Sequence, residues 1–290
     1  MIKLNFTADP SMPVDKEEGL PGKPAGHAAL TLLLRAGRIT RLLPRVRAFY
    51  KLRGMYQRFL PKNFLARSVF DGDLLFDLDL GSNLGLFLWH YPDFYEKEAI
   101  EAFCSLMKPG CVVLDVGANV GLYTLLAAKR GARVFAVEAD PLNIIMLRHH
   151  VRLNRLESRV TILEMAAMDF EQTVPLFRNL ENMGESNILE RGIPSGAVAG
   201  KSIDSLDLPP LDVCKMDIEG AELMALRGML RTLAKSPQLK LFVEYAEAFP
   251  DSHDLLQYLR KKFAKLQVLE SPEVDPNGKV PPYCNILAQN

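Results

Sequence analysis

The segment Asp115-Val116-Gly117-Ala118-Asn119-Val120-Gly121 joins an apolar run, Val112 to Val116, to a helical pattern that starts at Leu122. Glycines between a strand and a helix let the chain turn sharply and let backbone approach a ligand. In open α/β folds this is the carboxyl edge of the sheet, where ligands bind. Glu138 closes the next apolar run, 17 residues beyond Gly121. A carboxylate there accepts hydrogen bonds from the two hydroxyls of a ribose, a device that dinucleotide enzymes share. The loop separates the two possible cofactors. A dinucleotide fingerprint, G-x-G-x-x-G/A, seats a pyrophosphate on the helix N-terminus. Here Asn119 and Leu122 stand where its second and third small residues belong. S-adenosylmethionine has no phosphate and carries a sulfonium and an ammonium, so Asp115, an acid ending the first strand, suits it. The bland alternative is that Asp115 and Glu138 cap the loops that follow them.

Methyl transfer to oxygen is an in-line displacement. It needs an aligned nucleophile and a group that takes the hydroxyl proton. Asp217 ends the apolar run Val213 to Met216 and is the first candidate for base or orienter. Glu219 and Glu222 follow in the same turn. Glu222 also sits where a carboxylate caps a helix N-terminus. Glu244 ends the following strand and could share a divalent cation with Asp217, although two carboxylates make a thin metal site. No metal ligand set is assigned. His149 and His150 share a helix with Arg148 and Arg152 and are expected at its surface. His90 lies in an aromatic stretch and His253 near a helix start, and no histidine has a sequence-near partner for a nucleophilic triad. Asp217-Ile218-Glu219-Gly220 is not the Asn/Asp-Pro-Pro-aromatic motif of adenine amino-group methylation. Pro281-Pro282-Tyr283 comes too late for that role and reads as a packed turn, and Cys284 lacks the Pro-Cys context of cytosine methylation.

These residues need a scaffold of alternating strands and helices. The spacing predicts a helix over 95–107 and strands at Val112–Val116, Arg133–Glu138 and Val160–Glu164. Further strands are expected at Val213–Asp217, Leu239–Glu244, 266–270 and 283–288. Helices fall after Gly121, Pro141 and Gly220, and over His253–Phe263. Apolar strands alternating with helices mean a mostly parallel sheet covered on both faces, a Rossmann-like α/β fold. Residues 71–91 read as strands, with Asp71, Asp73, Asp77 and Asp79 on a solvated face. Residues 170–202 read as irregular. There the acceptor residues are expected, with Asn182–Asn187 as part of the pocket wall.

The chain has 290 residues, 48% hydrophobic and 24% charged, with 35 Lys+Arg against 35 Asp+Glu. Those values exclude a mostly disordered or collagen-like chain. The balance hides an asymmetry, because Gly19 to Phe70 holds eleven basic residues and no acid. Residues 1–27, rich in Pro and Gly, read as a flexible tail, 28–70 as a basic helical extension, and 71–290 as the catalytic domain. The basic arm could meet an anionic membrane surface, or nucleic acid through its interleaved aromatics, or dock on the acidic remainder of the chain. No apolar run approaches the roughly 20 residues of a membrane span, and the acidic N-terminus does not read as a signal peptide. Cys104, Cys111, Cys214 and Cys284 form no CxxC pair and read as reduced buried thiols, which points to the cytoplasm.

The segment VVLDVGANVGLYTLLAAKRGARVFAVEADP resembles the opening of the FkbM-type methyltransferases, which are class I S-adenosylmethionine-dependent enzymes. SIDSL followed by DVCKMDIEGAELMALRGM resembles that family's second signature. The resemblance covers roughly residues 70–290. It implies a seven-stranded sheet with an antiparallel last strand, and methyl transfer mostly to hydroxyl oxygen. It also implies cofactor contacts at Asp115, Gly117, Asn119, Gly121 and Glu138. Ala167 would lie beside the adenine, with Asp140 and Asn143 nearby. Val137-Glu138-Ala139-Asp140-Pro141 departs from the commoner Phe-Glu-Pro-Asn-Pro. The His often found after the fifth strand is absent around Glu244-Tyr245-Ala246. Three functions are then in play. The first is O-methylation of a hydroxyl-bearing small molecule or glycan. The second is nucleic-acid methylation that uses the basic arm. The third is a non-catalytic interaction module, which the intact Asp115, Gly117, Gly121 and Glu138 oppose.

Overall fold

A computed structural model describes residues 7–8, 23–24, 64–90, 95–178, 186–269 and 280–290. Most of the expected tail and basic arm therefore lies outside the described residues. The central sheet holds seven strands: β5 (Val112–Val116), β6 (Arg133–Glu138), β7 (Val160–Glu164), β12 (Val213–Met216), β13 (Lys240–Ala246), β14 (Lys265–Leu269) and β15 (Tyr283–Gln289). Their order is β14-β15-β13-β12-β5-β6-β7. Strands β5, β6, β7, β12 and β13 are parallel, while β15 runs antiparallel to both its neighbours. This is the class I methyltransferase architecture. From β5 the chain walks outward through β6 and β7, then returns to place β12 on the other side of β5. The order therefore reverses between β5 and β12, and a crevice opens at their carboxyl ends.

The apolar strands are explained by burial on both faces. Val113 packs toward α3 (Leu122–Lys129), beside Leu125, Leu126 and Phe103 of α2 (Lys97–Leu106). Leu114 and Val116 point the other way, toward Leu223, Leu226, Leu255 and Leu259 of α5 (Glu222–Arg227) and α7 (Ser252–Lys262). Alternate side chains of one strand thus feed two cores. Each fully buried Leu is worth about 1.5–3 kcal/mol. The apolar stripe expected as one helix after Gly220 is split, because α6 (Leu230–Ala234) starts anew after Gly228. An added Cβ at Gly228 would lie 1.9 Å from the Met168 carbonyl oxygen, so this close crossing requires glycine. Among the described residues no helix is long and apolar enough to cross a membrane.

Two regions differ from the sequence-based expectation. Phe64–Phe70 is not helical; it forms strand β3, antiparallel to β4 (Leu74–Asp79), and the two-residue strands β1 (Thr7–Ala8) and β2 (Lys23–Pro24) pair with it. Residues 83–90, expected as strand, form helix α1 (Asn83–His90). The aspartates are not a uniformly solvated face either. Asp77 is buried, with the Arg67 guanidinium at 2.8 Å and His149 Nε2 at 2.7 Å. Burial works against its charge, yet hydrogen bonds from His149 and Arg67 hold its pKa at about 2. Asp71 bridges Lys129 and Arg130. His149 and His150 are buried because their helix, α4 (Pro141–Leu153), packs on β4. His150 Nε2 accepts from the Asp77 N–H at 3.1 Å, so Nδ1 carries the proton and donates to the Val120 carbonyl at 2.7 Å. Burial pushes His150 down to about 4, so it is the neutral imidazole that ties the hairpin to the glycine loop.

The second difference is residues 166–202, which build a second sheet from β8 (Ala166–Met168), β9 (Gln172–Arg178), β10 (Ser186–Asn187) and β11 (Ile193–Ser202), in the order β10-β9-β11-β8. Strand β11 reads Ile-Pro-Ser-Gly-Ala-Val-Ala-Gly-Lys-Ser and is largely exposed or half-buried, so it carries no apolar alternation to recognise. The small sheet stands over the crevice and supplies one of its walls.

Candidate active site

The crevice between β5 and β12 is a cavity of about 800 Å³. The glycine loop forms its floor. Gly117 has φ +82°, and an added Cβ would lie 1.8 Å from the Asp217 carbonyl oxygen. Only glycine lets the loops after β5 and β12 cross so closely. The N–H groups of Gly117 and Ala118 both donate to the Val137 carbonyl, which ties the loop to β6. Asn119 also adopts positive φ, a conformation asparagine tolerates. Gly121, the residue before α3, does not line the cavity. At φ +101° its missing side chain makes room for Leu125 and Leu147.

The cofactor candidates separate by position. Asp115 is buried at the cavity floor, with Thr124 Oγ1 donating to its Oδ2. Burial raises its pKa to about 6 against that hydrogen bond. Glu138 lines the cavity and is also a loop clamp. Its Oε2 accepts from the Asn119 N–H at 2.7 Å, and its Oε1 accepts from the Asp140 N–H at 2.8 Å. Burial pushes it up to about 7 despite these donors. The capping alternative is therefore true of Glu138 in part; Oε1 also accepts from Asn143 Nδ2 at 3.4 Å, and Oε2 keeps a second lone pair for a ligand. Asn143 and Ala167 line the same end, with Met165, Leu176 and Ile188. Asp140 does not line it. Its carboxylate caps α4 at the Leu142 N–H and takes hydrogen bonds from Arg178 and Ser186, so it anchors the second sheet. Burial opposes its charge, and the Arg178 guanidinium more than offsets this, holding it below its ordinary value.

The other end is acidic. Asp217, Glu219 and Glu244 all line the cavity, and each offers an oxygen within 4.8 Å of the others. Glu222 does not join them. It is buried beneath the turn, where its Oε1 accepts from the N–H groups of Ile218 (2.9 Å) and Gly220 (3.1 Å). Its pKa rises to about 7 through burial, and its work is to hold the turn. Glu244 is raised well above the carboxylate range, by burial first and then by the charges of Asp217 and Glu219.

Several lining residues were missed from sequence. Lys215 is buried, with Nζ 3.2 Å from both Asp217 Oδ2 and Asn285 Oδ1 and 5.1 Å from the Tyr123 ring centre. Burial alone would discharge it, but Asp217, Glu96 and Glu244 overcome this and raise its pKa. The signal was there: a lysine in an apolar strand, two residues from Asp217 and hence on the same face. Tyr283 donates to Glu244 Oε1 at 2.6 Å and lines the cavity, so Pro281-Pro282-Tyr283 is more than a packed turn. Glu96, at positive φ, accepts from Tyr123 Oη at 2.6 Å. No sequence pattern pointed to these tyrosines, because their elements meet only through the fold. Ser186, Asn187 and Ile188 supply wall, as expected of this stretch, while 181–185 fall outside the described residues. Among the described residues no histidine lines the cavity. All four cysteines are buried.

The donor set fits S-adenosylmethionine rather than a dinucleotide. Seven lining carboxylates (Glu96, Glu98, Asp115, Glu138, Asp217, Glu219 and Glu244) face two lining ammonium groups (Lys97 and Lys215). A pyrophosphate would be repelled there, while a cationic ligand is attracted. Apolar Met165, Ala167, Leu176 and Ile188 near Glu138 form a surface for a flat base.

The family described as methyltransferase FkbM domain matches residues 115–265, just over half of the chain. A ribosomal protein L11 methyltransferase from Carboxydothermus hydrogenoformans is 35% identical over 77 residues, 26% of this chain and 25% of that protein. A tRNA (guanine(37)-N(1))-methyltransferase from Cryptococcus neoformans is 33% identical over 76 residues, 26% of this chain and 14% of that protein. The match thus spans a quarter or less of these two curated relatives. Among solved structures, a methyltransferase FkbM from Methylobacillus flagellatus gives a TM-score of 0.44 at 20% identity, covering 70% of this chain and 54% of that one.

Proposed function

The chain belongs to the FkbM methyltransferase family, and from that premise we propose that it transfers a methyl group from S-adenosylmethionine to a hydroxyl of a small molecule or glycan. One observation carries the reading. The cavity joins a Glu138 end, suited to a nucleoside, to an acidic end built from Asp217, Glu219 and Glu244. Asp115, Gly117, Asn119, Glu138, Asn143 and Ala167 would hold the cofactor. When bound, it supplies an electrophilic methyl on a sulfonium that leaves as a neutral thioether.

The protein's own residues then have three tasks. The floor and the second sheet hold the acceptor in line with the methyl, an orientation worth up to about 7–11 kcal/mol in ideal cases. The acidic end draws the acceptor hydroxyl and receives its proton as the carbon–oxygen bond forms. Lys215, fixed by Asn285, holds Asp217 in place at one oxygen. The second sheet screens this region from water.

A nucleic-acid acceptor is disfavoured by charge. Its phosphates would have to approach a cavity lined by seven carboxylates against two lysines. The basic arm, which suggested nucleic acid or an anionic membrane, lies mostly outside the described residues.

The test separates binding from chemistry. Asp217→Asn should keep S-adenosylmethionine affinity by calorimetry and lower turnover of labelled methyl into a hydroxyl-bearing metabolite extract by about 10²–10⁴-fold. Undiminished turnover would remove Asp217 from the mechanism, and labelled nitrogen products would overturn the hydroxyl assignment.

A further inference from the structure

Glu244, near the carboxyl end of β13, has one side-chain oxygen satisfied and one not. Its Oε1 accepts from Tyr283 Oη at 2.6 Å, whereas its Oε2 is buried and has no hydrogen-bond partner. The residue is only 5% exposed. A buried carboxylate oxygen without a partner loses its hydration with nothing in return and calls for a ligand. Asp217 and Glu219 each offer a carboxylate oxygen within 4.8 Å of one from Glu244.

The three side chains arrive from separate places. Asp217 follows β12, Glu244 lies near the carboxyl end of the neighbouring strand β13, and Glu219 sits on the turn between β12 and α5 with φ +59°. Their offered oxygens all lie within 4.8 Å of one another. Two oxygens on opposite sides of one ion are about 4.1 Å apart for Mg²⁺ and about 4.6–5.2 Å apart for Ca²⁺. A separation of up to 4.8 Å lies within the span of one Ca²⁺, and a Mg²⁺ would draw the side chains together by several tenths of an ångström. Lys215 takes Oδ2 of Asp217 and does not close the site, since a carboxylate has a second oxygen. Three carboxylates with no sulfur or imidazole are the donor set of a hard cation.

We propose that Asp217, Glu219 and Glu244 bind a divalent cation of the Mg²⁺, Mn²⁺ and Ca²⁺ class at the acceptor end of the cavity. Remaining positions are left to water or to hydroxyls of the acceptor, as such ions commonly keep them. What the ion does rests on the methyltransferase reading above: an acceptor oxygen bound to it loses its proton more readily and is fixed in place. That the ion binds does not rest on it.

The test uses the full chain and Mn²⁺ alone, followed by the loss of the free-ion signal in electron paramagnetic resonance. One Mn²⁺ per chain is expected, displaced by Mg²⁺ or Ca²⁺, with Glu244→Gln weakening affinity at least tenfold. Glu219→Gln, on the partly exposed turn, guards against a Glu244 variant that does not fold and should weaken binding likewise. S-adenosylmethionine titration by calorimetry runs alongside. Cofactor binding without stoichiometric Mn²⁺ binding overturns the ion site and leaves the methyltransferase reading standing. Mn²⁺ binding unchanged in both folded variants overturns the ion site too. Mn²⁺ binding without cofactor binding leaves the ion site and overturns the reading above.

Discussion

Replacing Glu138 by Gln tests the cofactor end at its most informative residue. In the ligand-free structure the two carboxylate oxygens clamp two different backbone donors, the Asn119 N–H and the Asp140 N–H. Glutamine has one acceptor oxygen, so its NH₂ must face one of these donors and leave it unsatisfied, at about 1–3 kcal/mol. Against that, the substitution removes a buried charge. Raising a Glu from 4.5 to about 7 corresponds to about 3 kcal/mol at pH 8. Because the folded pKa lies above the unfolded one, the stability Glu138 contributes is fully present below about pH 4.5 and lost as pH rises through about 7. The two effects nearly cancel at pH 8, and the variant should unfold close to wild type there. At pH 5 only the unsatisfied donor remains, and the variant should be the less stable by about 1–3 kcal/mol. Cofactor binding does not cancel. Two hydrogen bonds to a carboxylate become hydrogen bonds to a neutral amide, each weaker by about 1 kcal/mol or more, so S-adenosylmethionine affinity should fall roughly 30- to 100-fold. Thermal unfolding from pH 5 to 8 and calorimetric titration at pH 8 measure the two separately. Wild-type affinity in a folded Gln variant would refute the ribose assignment. A stability gap that does not shrink between pH 5 and 8 would refute the burial argument.

Gly117→Ala should cost about 3 kcal/mol or more of stability and abolish measurable cofactor binding, because its Cβ meets backbone at Asp217. Gly121→Ala meets only the flexible ends of Leu125 and Leu147 and should be the milder of the two by thermal shift and calorimetry. Asp77→Asn should destabilise by about 3–5 kcal/mol in denaturant titration, since it strips a buried Arg67 of its counter-charge. In wild type the contribution of Asp77 is present above pH 3.8 and lost as pH falls through about 2.

The central sheet was legible because both faces of its strands are buried, which leaves continuous apolar runs punctuated by glycine loops and carboxyl-terminal acids. Asp115, Glu138, Asp217 and Glu244 all end or nearly end strands of that sheet, so strand spacing placed them at one edge. The second sheet was not legible. Strand β11 is rich in Ala, Gly and Ser, stands mostly in solvent, and offers no alternation to read. Strand β4 was legible from its alternation, but its burial was not, because its charges mimic a solvated face, and β3 was taken into the helical extension. Arg67 and Asp77 neutralise one another, and neither pattern nor composition reveals a partner ten residues away. His149 and His150 followed the same error, since their burial depends on β4 lying across their helix.

The charged residues that sequence spacing could not assign fall into two groups with opposite work. Asp140 follows a strand and Glu222 opens the helix after one, yet Glu222 spends Oε1 on its own turn and Asp140 spends its oxygens on the Leu142 N–H, Arg178 and Ser186. Glu244 has the same type and setting but leaves Oε2 without a donor inside a cavity. What separates Glu222 from Glu244 is the partner each oxygen finds, which the fold sets, while Glu138 shows that an acid held by two backbone donors can still line the cavity. Lys215 belongs with Glu244: it is a buried charge whose partners, Asp217 and Asn285, come from two strands on either side of β13. A single ammonium group thus ties the carboxyl end of β12 to β15 across β13, beside the point where Gly117 and Asp217 come close.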